Sequence, residues 1–328
     1  MTRRCCRRGV PADAARVGVG VGVGVADVRT RSSRPPDLPI VRKKEAPVLD
    51  LAPVLLSAGD AAVTVLPEAG CRLGSLRLGA VELLRTAQDI ADPDGDVFGY
   101  GSFPMAPFAG RVDRGRFNNG PVRHRLPLDL VPHAAHGTAL RGRWRVAAPP
   151  AVTEAGMSAA FVHELAEPWP YPGRVSQLFE LSPGQLRITL AVEATQDSFP
   201  AQAGWHPWFR KRLREGGPQA ALDFAPAWQE ERGPDHLPTG RRIDPTPGPW
   251  DDCFGFPDGV EATLRWGDEL ALRISSDCGW AVVFDEQADA LCVEPQSGPP
   301  NGLNTAPRLV TPIEPLEVTT TWSWTSTR

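Results

Sequence analysis

The chain has 328 residues and a formal net charge of −4, and no stretch of it reaches the ~20 apolar residues that a membrane-spanning helix needs. A slightly acidic chain offers no basic field for a nucleic-acid backbone, so the sequence predicts neither a nucleic-acid partner nor a membrane partner. The length allows one large domain or two ordinary ones, and all-β domains often exceed about 200 residues as a single unit.

Residues 1–46 have a composition unlike the rest of the chain. They carry an arginine cluster at 3–8, an alternating Val-Gly tract at 17–25 and a Ser-Arg-Pro-Pro run at 33–36. Glycine at every second position is costly to order and supplies no packed face, so we predict a disordered extension over 1–46. An export signal is the alternative, but the tract is a poor apolar core and no Ala-x-Ala cleavage site follows it. Residues 47–328 are predicted to form one domain.

Short β-rich segments separated by Gly, Pro and Asn follow one another along this domain. The segment 61–66 predicts a strand, and the Asn-Gly turn at 119–120 predicts a hairpin between its flanking segments. Alternating apolar residues on both sides of the turn 182–184 predict a second hairpin, and the same pattern predicts a third around Gly267. Residues 318–324 suit a closing strand.

The overall pattern favours strands over helices. Amphipathic helical spacing over several turns is hard to find after residue 46, and the 35 Pro and 32 Gly favour many turns. The sequence therefore predicts an all-β protein built as a large antiparallel β-sandwich, with no linker to divide it.

The six cysteines lie at positions 5, 6, 71, 253, 278 and 292. They form no Cys-x-x-Cys pair and no finger spacing with histidine. Four of them occur in strand-like contexts, which predicts small buried thiols and suits a cytoplasmic location. Disulfide pairing is the alternative.

Three residues have surroundings that suit acid–base chemistry. His136 lies between strand-like segments, and His206 lies in an aromatic run with a proline directly after it. Glu294 ends an apolar run before another proline, where partial burial would raise the pKa of its carboxyl toward the range of a general base. For each residue a purely structural role is the competing interpretation.

Two charged positions are less distinctive when taken alone. Arg111 follows the apolar segment 104–110, which is an unusual place for a charge unless the side chain points into a cleft. Asp251 and Asp252 precede a Cys-Phe pair and are typical of ordinary turn acids.

The order of these motifs resembles the aldose 1-epimerase (galactose mutarotase-like) family from about residue 47 to the end of the chain. Residues 104–111 are similar to the family's Pro-Met-x-Pro-x-x-x-Arg segment. The other four matching elements are His136-Gly137, 204–209 (Gly-Trp-His-Pro-Trp-Phe), 251–254 (Asp-Asp-Cys-Phe) and 293–296 (Val-Glu-Pro-Gln). Each motif alone is weak, but five of them in the family's order are specific.

The resemblance implies a supersandwich fold and an isomerase that interconverts the α and β anomers of a free aldose without a cofactor or a metal. It implies that Glu294 is the base and His206 the acid, and that His136 steadies charge near the ring oxygen. It implies a small sugar as partner, a monomer or weak dimer, and a set of substrate-binding residues that comprises Arg111, Asp251, Trp208 and Gln296.

The sequence departs from the family pattern at three positions near these residues. Gly110 stands where asparagine is usual, Ala135 where a larger apolar residue is usual, and Trp208 where tyrosine is common. Because the acid, the base and the charged residues are all present, these departures bear on substrate preference more than on chemistry.

Three alternatives stay open. A hexose-6-phosphate mutarotase would also need a phosphate site, which the basic run 210–214 offers. A sugar-binding protein with the same fold would need no turnover. A metalloprotein would use His124, His133 and His136, although no carboxylate or cysteine at ligand spacing completes that set.

Overall fold

The structure, a computed structural model, describes residues 52–326. The predicted disordered extension over residues 1–46 lies outside the described residues. That expectation and the domain boundary at residue 47 therefore stay predictions.

The described residues form 25 strands. In chain order, the first thirteen are β1 (Val54–Ala58), β2 (Ala61–Leu66), β3 (Arg72–Leu78), β4 (Val81–Glu82), β5 (Ser102–Met105), β6 (Arg111–Val112), β7 (Arg116–Asn119), β8 (Val122–Arg125), β9 (Ala134–Ala135), β10 (Arg145–Val152), β11 (Met157–Leu165), β12 (Gly173–Ser182) and β13 (Gln185–Ala194). The remaining twelve are β14 (Phe199–Ala201), β15 (Gly204–Arg210), β16 (Ala221–Phe224), β17 (Trp228–Arg232), β18 (Pro238–Ile243), β19 (Asp251–Gly255), β20 (Val260–Trp266), β21 (Leu270–Ser276), β22 (Trp280–Phe284), β23 (Ala290–Gln296), β24 (Arg308–Val310) and β25 (Leu316–Ser326).

Helical structure in residues 52–326 is limited to four 3₁₀ turns and one short α-helix. The 3₁₀ turns are Pro67–Ala69, Ala87–Asp89, Asp113–Gly115 and Ala139–Arg141, and the α-helix α1 is Gly302–Thr305. No helix in this part of the chain has the length and apolar character needed to cross a membrane.

Two large antiparallel sheets contain most of the strands. The larger sheet has eleven strands in the order β1-β2-β3-β5-β15-β23-β22-β19-β17-β18, with β4 attached to β3. The smaller sheet has eight strands in the order β10-β11-β12-β13-β25-β21-β20-β16. The predicted all-β antiparallel class is confirmed. So are the three predicted hairpins, which are β7–β8, β12–β13 and β20–β21.

The two large sheets pack face to face through alternate residues of their strands. On β15, the Trp205 indole Nε1 donates a hydrogen bond of 2.9 Å to Oε1 of Gln177 on β12. The Phe209 ring packs edge-on against Trp322 of β25, with ring centroids 5.1 Å apart. Because side chains alternate along a strand, His206 and Trp208 point to the opposite, outer face of the larger sheet.

A second, smaller hydrophobic cluster lies on this outer face. It joins side chains of four neighbouring strands to side chains from the connections between β4 and β10, namely Phe103, Met105, Trp208, Ala290, Cys292, Phe284, Val97, Phe98, Ala109 and Leu140. The connections therefore cover the outer face, and β15 is buried on both of its sides. A polar side chain on the outer face is consequently shielded from bulk water.

The four cysteines among the described residues are free and buried, as the sequence predicts. Burial raises the pKa of the Cys278 thiol to about 12, so that thiol is neutral. The adjacent pair Cys5 and Cys6 lies outside the described residues.

Gly137 lies where the connection after β9 passes closest to the end of β5. Its φ is +82°, and a Cβ atom placed there would lie 2.1 Å from the carbonyl oxygen of Ala106. That same oxygen accepts hydrogen bonds of 3.0 Å from the backbone N–H groups of Thr138 and Ala139. The close approach therefore requires glycine, and it fixes the position of the preceding residue, His136.

We expect Gly137→Ala to destabilise the fold through both backbone strain and a backbone clash. Gly120→Ala is the matched control, because Gly120 also has positive φ (+55°) but no atom within 4 Å of an added Cβ. Urea unfolding should show a loss of about 1–2 kcal/mol for the control and at least about 3 kcal/mol for Gly137→Ala. Equal losses in the two variants would contradict the close approach.

Candidate active site

His206 and Glu294 face each other on neighbouring strands at the centre of the larger sheet. β15 and β23 pair in an antiparallel register that matches Trp208 with Cys292. Continuing this register by two residues brings His206 opposite Glu294, and His206 Nε2 lies 3.2 Å from Glu294 Oε1. The two residues are 7 % and 2 % exposed. An imidazole and a carboxyl therefore meet directly, with little access for water.

Burial shifts the pKa values of this pair in opposite directions. It lowers the pKa of His206 well below 6.5, and His136 and Arg111 lower that pKa further. It raises the pKa of Glu294 well above 4.5, where Asp251 adds to the increase and Arg111 opposes it. Both shifts favour the uncharged groups. The pair therefore shares one proton, which lies mainly on the carboxyl and is donated toward Nε2.

His136 directly follows β9, which pairs with β6, and its ring lies beside that of His206. Its backbone N–H donates to the Gly110 carbonyl at 2.9 Å, and its φ of +61° lies in the left-handed region. Its Nδ1 lies 3.0 Å from the Met105 sulfur, and its ring centroid lies 5.1 Å from that of His206. A left-handed non-glycine residue costs about 1–3 kcal/mol, so the surrounding contacts hold His136 in place.

Aromatic rings surround the two imidazoles. Phe98 and Phe103 approach the His136 ring at centroid distances of 5.2 and 5.8 Å. Phe103 also stacks on His206 at 4.8 Å. Burial lowers the pKa of His136 to about 3, and Arg111 contributes in the same direction. His136 is therefore a neutral imidazole near neutral pH.

Asp251 is held by three basic side chains. Arg111 Nη2 lies 3.4 Å from Asp251 Oδ2, while Arg232 Nη1 and His236 Nδ1 each lie 3.1 Å from the same oxygen. The His236 contact requires the proton to be on Nδ1, because a carboxylate can only accept. Arg232 Nε also lies 3.3 Å from Asp252 Oδ1. These contacts fix the orientation of the Asp251 carboxylate beside Arg111.

A cavity of about 300 Å³ opens onto the His206–Glu294 pair. Its wall includes six of the seven predicted site residues, which come from five separate segments of the chain: Arg111, His136, His206, Trp208, Asp251 and Glu294. The structure thus brings the predicted acid, base and charged residues together around one space.

The seventh predicted residue, Gln296, is fully buried and does not line the cavity. It is two residues after Glu294 on β23, so it points to the same face of the sheet. Its predicted contact with a substrate stays a prediction. Trp205 and Phe254, aromatic residues of two of the matching motifs, both belong to the core between the sheets.

Arg85 is a wall residue that the sequence analysis did not single out. Its guanidinium lies 4.5 Å from the centroid of the Trp208 ring, and its Nε donates to Asp289 Oδ2 at 2.9 Å. Its Nη1 donates to the Gly99 carbonyl at 3.1 Å. Asp289 therefore balances the charge of Arg85. No sequence motif marks Arg85, Arg232 or His236. Their roles become clear only from their contacts in the structure.

The basic run 210–214, considered above as a phosphate site, does not line the cavity. Arg210 Nη2 lies 2.6 Å from Asp89 Oδ2. Arg214 forms an ion pair with Glu269. These arginines are engaged with carboxylates outside the cavity wall, so the run does not supply a phosphate site for a ligand bound beside His206.

The metal site proposed from three histidines is wrong, because their side chains have separate surroundings. His124 Nε2 contacts the Tyr171 hydroxyl at 2.6 Å, His133 Nε2 contacts the Asp235 carbonyl at 2.9 Å, and His136 lies against Met105. Among residues 52–326, the side chains close enough to share one ion are instead His206, Cys292 and Glu294.

The arrangement is suited to concerted proton transfer. A carboxyl of raised pKa and an imidazole of lowered pKa can take a proton from one atom of a bound molecule and deliver a proton to a neighbouring atom. The Arg111–Asp251 pair presents fixed hydrogen-bonding groups beside them, which can orient a polar ligand.

Known proteins share sequence and fold with this chain. The family model described as Aldose 1-epimerase matches residues 54–263. The Uncharacterized protein YphB of Escherichia coli (strain K12) is 33 % identical over 110 residues. That matched stretch spans 33 % of this chain and 36 % of the length of the E. coli protein.

Two solved structures with the same architecture belong to proteins described as galactose mutarotase-like and as galactose 1-epimerase. A galactose mutarotase-like protein from Clostridium acetobutylicum has a TM-score of 0.74 at 16 % identity, covering 83 % of this chain and 94 % of its own. The galactose 1-epimerase from Lactobacillus acidophilus NCFM has a TM-score of 0.69 at 16 % identity, and the match covers 84 % of this chain and 94 % of the epimerase. At these identities the likeness shows the fold, which is the predicted galactose mutarotase-like sandwich.

We expect the His136 imidazole to stay neutral until the pH falls to about 3. Arg111→Gln should raise its pKa, because one of the two causes of the shift is removed, while burial should still hold the value below 6.5. NMR titration of labelled histidine would measure both values. Arg232→Gln is a matched control that should leave the His136 pKa unchanged. A wild-type His136 that titrates near 6.5 would contradict the buried site.

Proposed function

Because the chain belongs to the aldose 1-epimerase family, we propose that it is a mutarotase that interconverts the α and β anomers of a free aldose such as glucose or galactose. The contact between His206 Nε2 and Glu294 Oε1 at 3.2 Å is the observation that supports this most directly. A volume of about 300 Å³ is at the small end of ligand sites, which suits a monosaccharide.

Mutarotation moves two protons and breaks one ring bond. Glu294, in its ionised form, takes the proton of the C1 hydroxyl while the protonated His206 delivers a proton to the ring oxygen. The electron pair of the C1–O5 bond goes to O5, and the C1–OH oxygen becomes a carbonyl. After rotation about C1–C2, the same two groups reverse their roles and close the ring with the other configuration. Since the sugar is neither oxidised nor reduced and transfers no group to another molecule, the reaction requires neither a metal nor a cofactor.

The other wall residues have supporting roles in this proposal. The neutral His136 imidazole can donate to or accept from the ring-oxygen side without adding charge. Arg111 and Asp251 bind sugar hydroxyls, and Arg232 and His236 keep Asp251 in position. Trp208 offers an apolar surface to the C–H groups of the sugar.

The charge distribution favours a free aldose over a sugar phosphate. Two guanidinium groups line the cavity, and each already faces a carboxylate, Arg85 that of Asp289 and Arg111 that of Asp251. A phosphate dianion would have to compete with these carboxylates. NMR exchange between anomers, measured on glucose, galactose and glucose 6-phosphate, should therefore give larger rates for the free sugars.

A non-catalytic sugar-binding protein is disfavoured by the buried acid–base pair. Binding a neutral sugar needs no carboxyl of raised pKa, and burying such a group costs free energy.

The buried free thiols among the described residues suit a reducing compartment, so we place the enzyme in the cytoplasm. We also propose that it is a monomer or weak dimer.

We expect Glu294→Gln to lower kcat by at least ~10²-fold with a smaller change in KM, because the amide keeps the shape but cannot accept a proton. His206→Asn should do the same, and the two losses should not multiply in the double variant, since one concerted exchange needs both groups. Polarimetry or NMR anomer exchange measures the rates.

Unfolding measurements provide the control for these variants. A carboxyl whose pKa is raised in the folded state destabilises the fold above its unfolded pKa, so Glu294→Gln should be at least as stable as the wild type at pH 7. A stable Glu294→Gln enzyme with near-normal kcat would end the assignment of Glu294 as base.

The rate should follow a bell-shaped pH dependence with its limbs set by the pair. The reactive arrangement, ionised Glu294 with protonated His206, holds the same single proton as the neutral arrangement. The acid limb should lie at a pH well below 6.5, because the imidazole of lowered pKa takes a second proton only there. The alkaline limb should lie at a pH well above 4.5, because the carboxyl of raised pKa loses the shared proton only there. A pH–rate profile with no alkaline limb would contradict this reversed order.

A further inference from the structure

Cys292 has no part in the proton transfers, yet it lies beside the groups that perform them. It is two residues before Glu294 on β23 and therefore points to the same face of the sheet. The sulfur of Cys292, one imidazole nitrogen of His206 and one carboxylate oxygen of Glu294 all lie within 4.8 Å of one another. All three residues are buried.

These three atoms match the donors that thiophilic divalent cations prefer. Zn²⁺ binds thiolate, imidazole and carboxylate ligands at about 2.0–2.3 Å, which places neighbouring tetrahedral ligands about 3.3–3.8 Å apart. Atoms that lie 4.8 Å apart, the upper limit in this cluster, must approach each other by about 1–1.5 Å to reach these separations. Two adjacent strands hold the residues, so little backbone ordering is needed.

The charges also balance. A thiolate and a carboxylate together neutralise the two positive charges of the ion, which allows it to bind in a buried place. Two of the ligands, His206 and Glu294, line the cavity, so the fourth coordination position can be filled by water or by a ligand hydroxyl from that side.

We propose that His206, Cys292 and Glu294 form a binding site for a thiophilic divalent cation such as Zn²⁺ or Cd²⁺, and that the bound ion switches off the acid–base pair. The ion occupies the lone pairs of the His206 nitrogen and the Glu294 carboxylate, so neither group can exchange a proton with the sugar. The inhibition rests on the proposed function, whereas the binding does not.

Binding of the ion must also displace protons, because a cysteine binds a cation as the thiolate and a glutamate binds it as the carboxylate.

The binding test uses the full chain, purified with its thiols reduced, and Cd²⁺ as the probe. The ultraviolet absorption of a Cd²⁺–thiolate bond reports Cys292 directly and needs no activity. Cys292→Ser should lose one such bond relative to the wild type. Cys278→Ser is the matched control, because Cys278 is equally buried but is not in the cluster, and it should give the wild-type signal. Cys5 and Cys6 are present in all variants, so any Cd²⁺–thiolate absorption from them is the same in each variant.

The activity test measures Zn²⁺ inhibition of anomer exchange. We expect inhibition of the wild type that EDTA relieves. Cys292→Ser should need at least ~10-fold more Zn²⁺ for the same inhibition, with near-normal activity in the absence of metal. Cys292→Ala, which adds no polar group to the buried cluster, serves as a second variant if the serine variant is unstable.

The two measurements separate the two proposals. A protein that binds Cd²⁺ through Cys292 but has no mutarotase activity would support the ion site and refute the proposed function. An active enzyme whose Cd²⁺ absorption and Zn²⁺ inhibition are the same in the wild type and both Cys292 variants would overturn the ion site and leave the proposed function intact.

Discussion

The antiparallel pairing of β15 with β23 is the constraint on which the candidate site depends. Its register brings His206 and Glu294 opposite each other, with Nε2 and Oε1 3.2 Å apart. A slip of one residue would turn these side chains into the core between the sheets and bring Trp205 outward. Since Trp205 and Phe209 are held in that core by the smaller sheet, packing on one face of β15 fixes the chemistry on the other.

The connections on the outer face of the larger sheet set the electrostatics. They cover the pair, exclude water, and so raise the pKa of Glu294 while lowering that of His206. A shared proton in a poorly hydrated place is easily passed to a ligand that supplies its own hydroxyl and ring oxygen. Arg111 and Asp251 keep the wall polar without adding net charge, which is consistent with a neutral ligand. The same buried groups are ligands of the cation site that we propose at Cys292.

Local patterns predicted much of the fold because hairpins are local structures. The turns at 119–120, 182–184 and Gly267 connect segments that pair with each other, and both the turn residues and the alternation can be read in the sequence. The larger sheet is different. β5, β15 and β23 come from distant parts of the chain, and no local pattern specifies their order.

The sequence by itself determined the all-β class and the residue types available for acid–base chemistry, because alternation, turns and motifs are local. The tertiary structure decided which of these residues meet. It placed the His206 imidazole in direct contact with Glu294, surrounded Asp251 with Arg232 and His236, and kept Gln296 off the cavity wall. These outcomes depend on long-range strand pairing and on the burial that it creates, and neither is encoded in the spacing of neighbouring residues.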